Sequence, residues 1–253
     1  MKLIWKTIIW LTAFSIAMGY LEAAIVVYLR MFYYPEGFNF PLKVIDHRTA
    51  ITEFWREFAT LIMLYGVGRL AGKNSSQRFA FFIYNFAVWD LFYYIFLKVI
   101  LNWPESLFTW DILFLIPVPW VGPVLAPCIL SVTMIFFAGI IIYFNDKGLE
   151  GRLKGIERLL LISGCIIVIC ACIQDYIANL YSHGELNSMF NILNPHNQAQ
   201  LFPDFASYIP SSFSWLIFGI GELVILVATG MYFARNKRSL AQRGQGSKIL
   251  NLN

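Results

Sequence analysis

The chain has 253 residues, of which 58% are hydrophobic and only 13% are charged, and its mean hydropathy is +0.63. Average soluble domains are roughly 25% charged, so the composition excludes an ordinary soluble fold and predicts an all-α integral membrane protein with the lipid bilayer as its solvent. The formal net charge is +4, but the basic residues fall in connections and near the C-terminal end, a pattern typical of membrane orientation and not of nucleic-acid binding.

Apolar runs long enough to cross a bilayer core of about 30 Å recur along the whole chain. The predicted transmembrane helices span residues 4–32, 50–70, 79–101, 124–144, 159–181 and 213–234. No soluble domain interrupts them. We therefore interpret residues 1–236 as one transmembrane domain and residues 237–253 as a basic cytoplasmic tail.

The connections between these helices alternate in charge. "GRLAGKNSSQR", "NDKGLEGRLKGIER" and the tail "RNKRSLAQRGQGSK" are rich in Lys and Arg, whereas the intervening connections carry few basic residues. The positive-inside rule places both termini in the cytoplasm, and an even number of helices agrees with that orientation. The expected location is the cell membrane.

The predicted outer connections are aromatic and proline-rich. Within one of them, "TWDILFLI" is too short to span a bilayer. It could form a short interfacial helix that ends at Pro117 and Pro119, because proline disrupts helical hydrogen bonding.

Carboxylates inside the apolar runs are the main functional signal. Asp90 interrupts "FAVWDLFYYIFLKVI", and Glu22 and Glu222 also lie near the middle of predicted helices. A charged side chain at the bilayer centre costs from about 2.5 to more than 10 kcal/mol, so these groups should face the bundle interior. The candidate residues for binding a ligand or ion are Glu22, Glu53, Arg56, Glu57, Asp90, Asp175 and Glu222. Their bias towards the outer half predicts an acidic pocket that opens outward.

Structural roles compete with this interpretation. Glu53, Arg56 and Glu57 have the spacing of side chains that pair on one helical turn. Asp90 could instead accept a structural hydrogen bond from Tyr, Trp or Ser on a neighbouring helix. Arg30 could extend to the membrane surface.

The sequence identifies no cofactor and no catalytic residue. His47, His183 and His196 map to outer connections or helix ends, where they are weak candidates for metal ligands. No metal-binding, P-loop or dinucleotide motif is present.

Three functions fit these features. The leading hypothesis is a membrane protein whose acidic pocket binds and transports a small solute, a cation or protons. The first alternative is an intramembrane enzyme, using acid–base or metal chemistry on a lipid-like substrate at the outer side. The second is a non-catalytic subunit of a larger membrane complex, with partner subunits in the membrane.

Overall fold

The protein is mostly helical in a computed structural model that describes residues 2–43, 45–116, 118–149, 151–182 and 208–250. Its elements, in chain order, are helix α1 (Lys2–Tyr33), α2 (His47–Ala71), α3 (Ser75–Leu101), strands β1 (Trp110–Phe114) and β2 (Trp120–Pro123), and helices α4 (Leu125–Asp146), α5 (Gly155–Ser182) and α6 (Trp215–Leu250). Each predicted helix overlaps one of these six.

Five of the helices, α1 and α3 to α6, are long and apolar enough to cross a membrane. Many large apolar side chains on them are exposed, among them Trp10, Phe32 and Leu216, at 75%, 82% and 76%. Such a surface is suited to contact with hydrocarbon and not with water. Helix length and surface are therefore both compatible with the membrane class predicted from composition.

Helix α2 is not among those five because it carries several charges. Its charged residues Glu53, Arg56 and Glu57 lie towards the interior, whereas Trp55 and Ile62, at 59% and 56% exposed, lie on the outside. Mean hydropathy averages over both faces, so it underestimates a helix with a polar inner face. With 25 residues, α2 is about 37 Å long.

The helices pack in two closely associated sets, with α1, α2 and α4 against α3, and α5 against α6. Helices α5 and α6 approach closely at Gly164 and Gly221, where a Cβ on Gly221 would lie 2.9 Å from the backbone nitrogen of Val168. A glycine there removes the steric barrier to close helix contact. Gly219 has no such neighbour.

The predicted interfacial helix after α3 is wrong. Trp110–Phe114 instead forms an antiparallel β-hairpin with Trp120–Pro123, in which Asp111 is paired with Gly122. Aromatic and β-branched residues favour strands, and so short a segment cannot sustain an isolated helix. The partner strand supplies the backbone hydrogen bonds that a helix would have supplied internally.

The basic connections meet at one end of the bundle. Asn74, before α3, donates to Asn145 near the end of α4 at 2.8 Å, and the Ser76 and Tyr232 hydroxyls both donate to the carbonyl of Gly151. The turn after α2, the connection after α4 and the middle of α6 therefore lie together. Helix α6 continues to Leu250, so the segment interpreted as a tail is helical as far as that residue.

Candidate functional site

A cavity of about 240 Å³ lies at the opposite end of the bundle, near the beginning of α2. Helices α1, α2 and α3, the connection of residues 34–46 and the β-hairpin form its walls. Its charged lining consists of five carboxylates and three cations, a formal excess of two negative charges: Glu22, Glu53, Glu57, Asp90 and Asp111, with Arg30, Lys43 and Arg56. Most other lining residues are apolar or aromatic. Five of the seven sequence-predicted site residues thus meet in one place.

Arg56 is the centre of a four-residue cluster in this cavity. Its Nε donates to Glu53 at 2.7 Å, its Nη1 donates to Glu22 on α1, and its Nη2 lies 4.0 Å from Glu57. The predicted pairing along α2 is therefore confirmed, and it extends across to α1. One guanidinium is shared by three carboxylates, so the cluster has a formal excess of two negative charges.

Glu57 also ties the hairpin to the helices. Its second carboxylate oxygen accepts the backbone N–H of Leu115 at 3.0 Å. Leu115 follows β1 directly, so this hydrogen bond holds the hairpin against α2 beside the cavity.

Asp90 occupies a different part of the cavity wall. Its Oδ2 accepts a hydrogen bond from the Ser131 hydroxyl on α4 at 2.8 Å. No cation within 4.0 Å pairs with it among the described residues. The structural hydrogen bond considered for Asp90 is therefore present, and the group also lines the cavity, beside Trp89 and Tyr93.

Arg30 is buried, so the expectation that it extends to the membrane surface is wrong. Its Nη2 lies 3.3 Å from Oδ1 of Asp111 in the hairpin. Its guanidinium also lies over the rings of Trp103 and Phe38, at 3.7 and 4.3 Å from their centroids. The ion pair and these cation–π contacts fix the guanidinium and link α1 to the hairpin.

Asp111 was not among the predicted site residues. It is 2% exposed, and this burial raises the pKa of its carboxyl to about 6, although Arg30 acts in the opposite direction. The signal was present in the sequence, since Asp111 is an isolated acid in "TWDILFLI" just as Asp90 is in α3. The segment is too short to span a membrane, so Asp111 is not one of the carboxylates inside the long apolar runs.

The connection of residues 34–46 is held at both ends. The Tyr34 hydroxyl accepts the backbone N–H of Lys43 at 2.8 Å, and burial raises the pKa of this tyrosine. Asp46 caps α2 by accepting the backbone N–H groups of Arg48 and Thr49, both at 3.1 Å. Hydrogen bonds from the hydroxyls of Thr49 and Tyr33 lower the pKa of Asp46.

Two predicted site residues lie outside the cavity. Asp175 accepts four hydrogen bonds from Tyr208, Ser211 and Ser212, so its carboxylate fixes the chain before α6. Glu222 accepts a hydrogen bond from Thr133 on α4 at 3.0 Å and is buried between helices. Depth along a helix brought these acids into the prediction, but depth does not determine which face of the helix they occupy.

The side chains of the three histidines predicted as weak metal ligands lie outside the described part of the structure. His183 and His196 lie outside the described residues, as does the side chain of His47. Elsewhere, the described residues contain no group of three or more His, Cys, Asp or Glu side chains that could hold a metal ion.

Comparison with known protein families, with characterised proteins and with solved structures finds no match to this chain.

Proposed function

We propose that this protein is a six-span membrane protein that binds a small organic cation in its acidic cavity and transports it across the membrane. The observation that carries the proposal is Asp90, a carboxylate in the wall of the cavity with a hydroxyl as its hydrogen-bond donor and no cation paired with it among the described residues. A carboxylate in such a place is most stable opposite a positive charge.

The rest of the lining supports a cation that is partly apolar. The excess of negative charge favours positive ligands, and the aromatic rings of Trp89 and Tyr93 can contact a cation through their faces. The cavity volume of about 240 Å³ is somewhat below the range of about 300–1,000 Å³ typical of sites for drug-sized ligands. A small amine with one apolar group matches these properties.

The orientation is part of the proposal. The basic connections cluster at the end of the bundle away from the cavity, so the positive-inside rule directs the cavity to the outer side of the cell membrane, with both termini in the cytoplasm. Helix α2 makes the sixth crossing, because its charges lie inward. Cysteine substitutions at exposed Ser75 and Glu105, in a background without the native cysteines, should be labelled by an impermeant maleimide from the inside and the outside respectively. Labelling of both from one side contradicts this topology.

Calorimetric titration of the protein in nanodiscs with phenethylamine tests the binding step. We expect saturable binding that Asp90→Asn weakens at least about tenfold, because a hydrogen bond to a charged group contributes about 1.5–3 kcal/mol. Glu222→Gln is the matched control, since it also converts a buried acid into its amide but lies outside the cavity. Equal weakening by both variants, or no binding to the wild type, would contradict the proposal.

Uptake of labelled phenethylamine into proteoliposomes tests transport separately. Uptake above the passive flux into protein-free liposomes should require the protein and decrease in the Asp90→Asn variant. Binding without uptake would support a binding protein and contradict the proposed transport. The two alternatives, an intramembrane enzyme and a non-catalytic subunit, stay predictions because no described contact favours either.

A further inference from the structure

Helices α4 and α6 run parallel and touch at two levels. Thr133 donates to Glu222 at 3.0 Å, and about three turns further along both helices the rings of Phe144 and Phe233 lie 5.7 Å apart. The residues of each pair are 89 positions apart in the sequence. The two helices therefore keep one register between these levels.

The exposed faces of α4 and α6 beside this contact form one lipid-facing groove. Phe144 and Tyr232 are buried, whereas Tyr143 and Phe233 beside them are 51% and 40% exposed. Helices α3 and α5 cover the buried side, so the exposed side chains of both helices lie on the same outer side. The groove is lined by exposed apolar side chains at helical spacing, which are Val132, Phe136 and Tyr143 on α4 and Leu223, Leu226 and Phe233 on α6.

Two glycines deepen this groove. Gly139 and Gly230 lie between the larger side chains on each helix, and both are exposed. A Cβ at either position would have no neighbour within 4 Å among the described residues. In the register of the two helices the glycines are nearly level with each other. They leave a recess at one depth, with space for a hydrocarbon chain.

A lysine on each helix lies at the end of the groove where the basic connections meet. Lys147, directly after α4, is level with the residue before Lys237 on α6. Each ammonium group lies 5.9 Å from the centroid of an exposed ring of the groove, Tyr143 for Lys147 and Phe233 for Lys237. Packed helix axes are about 8–10 Å apart, so two flexible lysine side chains can reach a single phosphate.

Positive charge prevails at this end of the groove. Neither lysine has a carboxylate within 4.0 Å among the described residues. The only acid in residues 143–149 and 233–243 is Asp146, against five cations. One of the five, Arg235, is paired with Glu157. An anion at this end therefore meets an excess of cations, beside a surface that is apolar.

An anionic phospholipid combines the two properties that fit this groove. Any lipid supplies acyl chains for the apolar surface, but a headgroup with net negative charge also satisfies the lysines. Basic pockets between transmembrane helices bind such headgroups. A second protein helix would cover the apolar side chains and leave the lysines without an anion.

We propose that the groove binds one anionic phospholipid, whose phosphate contacts Lys147 and Lys237 and whose acyl chain lies over Gly139 and Gly230. The groove shares no residue with the acidic cavity, so this site does not depend on the proposed transport.

Native mass spectrometry of the full chain in a neutral detergent identifies bound lipid by its mass. With equal amounts of dioleoylphosphatidylglycerol and dioleoylphosphatidylcholine present, the wild type should retain phosphatidylglycerol at least about fivefold more often, since one basic residue near an anionic lipid contributes about that factor. The double variant Lys147→Gln/Lys237→Gln should lose most of this preference. A wild type without any preference would overturn the proposal.

Lys73→Gln/Lys154→Gln is the matched control, because it removes two exposed lysines from the same end of the bundle but outside the groove. It should leave the preference within about twofold of the wild type, since charges more than about 10 Å apart are largely screened. All four lysines are exposed, so both variants should fold. Equal losses in the two variants would show a general attraction to the basic end and would overturn the site.

Filling the recess tests the acyl part of the site. Gly139→Leu/Gly230→Leu keeps both lysines, and leucine is a better helix former than glycine. This variant should lose retained phosphatidylglycerol, whereas Gly66→Leu, at a glycine of α2 that also has open space around it, should not. Unchanged retention in the double variant would overturn the groove as the binding site.

Glycerophosphoglycerol, which is the headgroup without acyl chains, distinguishes a lipid from a soluble phosphate. In excess it should not displace phosphatidylglycerol, because it makes none of the apolar contacts. Displacement would show a site for soluble phosphates and would overturn the lipid. The same spectra give the number of chains, and a dimer that retains no phosphatidylglycerol would overturn the proposal in favour of a second copy covering the groove.

Discussion

Replacing Arg56 by glutamine should destabilise the protein strongly, because three carboxylates depend on its guanidinium. The side chain of Arg56 is 16% exposed, and those of Glu22, Glu53 and Glu57 are 10%, 12% and 13% exposed, so water compensates little. Removing one partner of a buried ion pair costs about 3–5 kcal/mol. For a chain of this size, 1 kcal/mol shifts the thermal midpoint by about 2–4 °C. The expected decrease in midpoint is therefore about 6–20 °C.

Thermal unfolding in mild detergent, followed by size-exclusion chromatography or circular dichroism, measures this change. Arg69→Gln is the matched control, since Arg69 is exposed on the same helix and should change the midpoint by little. Adding Glu22→Gln to Arg56→Gln should recover part of the loss, because one of the uncompensated carboxylates is then gone. A midpoint for Arg56→Gln within 2 °C of the control, or a further decrease on adding Glu22→Gln, would refute the role of Arg56 as a shared counter-ion.

Burial raises the pKa of Asp111 to about 6 from an ordinary value of 3.8, so between these two pH values the folded state retains a proton that the unfolded state has lost. The free energy of unfolding should therefore fall by about 3 kcal/mol as the pH rises from about 3.8 to about 6. A difference in thermal midpoint between the wild type and Asp111→Asn that does not change between about pH 4 and 6.5 would contradict this. Gly221→Ala should lower the thermal midpoint because its Cβ would clash across the α5–α6 contact, whereas Gly219→Ala, with open space around it, should leave it unchanged or raise it; the reverse order would refute the close approach. Thr133→Val removes the hydrogen bond to Glu222 and should cost about 1–3 kcal/mol of stability without altering phenethylamine binding, so a change in affinity would connect this contact to the cavity.

The helices were predictable because each one depends on a continuous apolar run in the sequence. A bilayer core requires about 20 apolar helical residues, and the predicted spans at residues 79–101 and 159–181 begin four residues after α3 and α5 begin and end within one residue of their ends. Helix α2 was predicted from its apolar run at residues 50–70, although its mean hydropathy is low, and the spacing of its acids and Arg56 predicted only that these side chains pair. The β-hairpin could not be predicted in this way, since Trp110–Phe114 depends on pairing with a strand supplied by later residues.

The candidate site was predictable only in part, for a similar reason. Spacing along α2 predicted the contact between Arg56 and Glu53, but its contact with Glu22 depends on how α1 and α2 pack. Sequence depth could not separate Asp90, which lines the cavity, from Asp175, which binds the chain before α6. Tertiary packing decides which face of a helix lines a cavity.

The most direct test of the central claim is the charge selectivity of a thiol placed inside the cavity. Val26 lines the cavity one turn from both Glu22 and Arg30, and Val26→Cys can be introduced after the four native cysteines are replaced. Impermeant methanethiosulfonate reagents of similar size, one with a trimethylammonium group and one with a sulfonate, are then applied from outside intact cells. The ratio of their reaction rates cancels differences in thiol reactivity, and Glu105→Cys on the exposed connection between α3 and β1 sets the reference ratio. Because charged clefts raise the local concentration of counter-ions by about 10–10³, the cationic reagent should be favoured at Val26→Cys at least about tenfold more than at the reference, and phenethylamine should slow the reaction. A ratio equal to the reference, or no reaction from outside, would contradict an outward-opening cavity that selects cations.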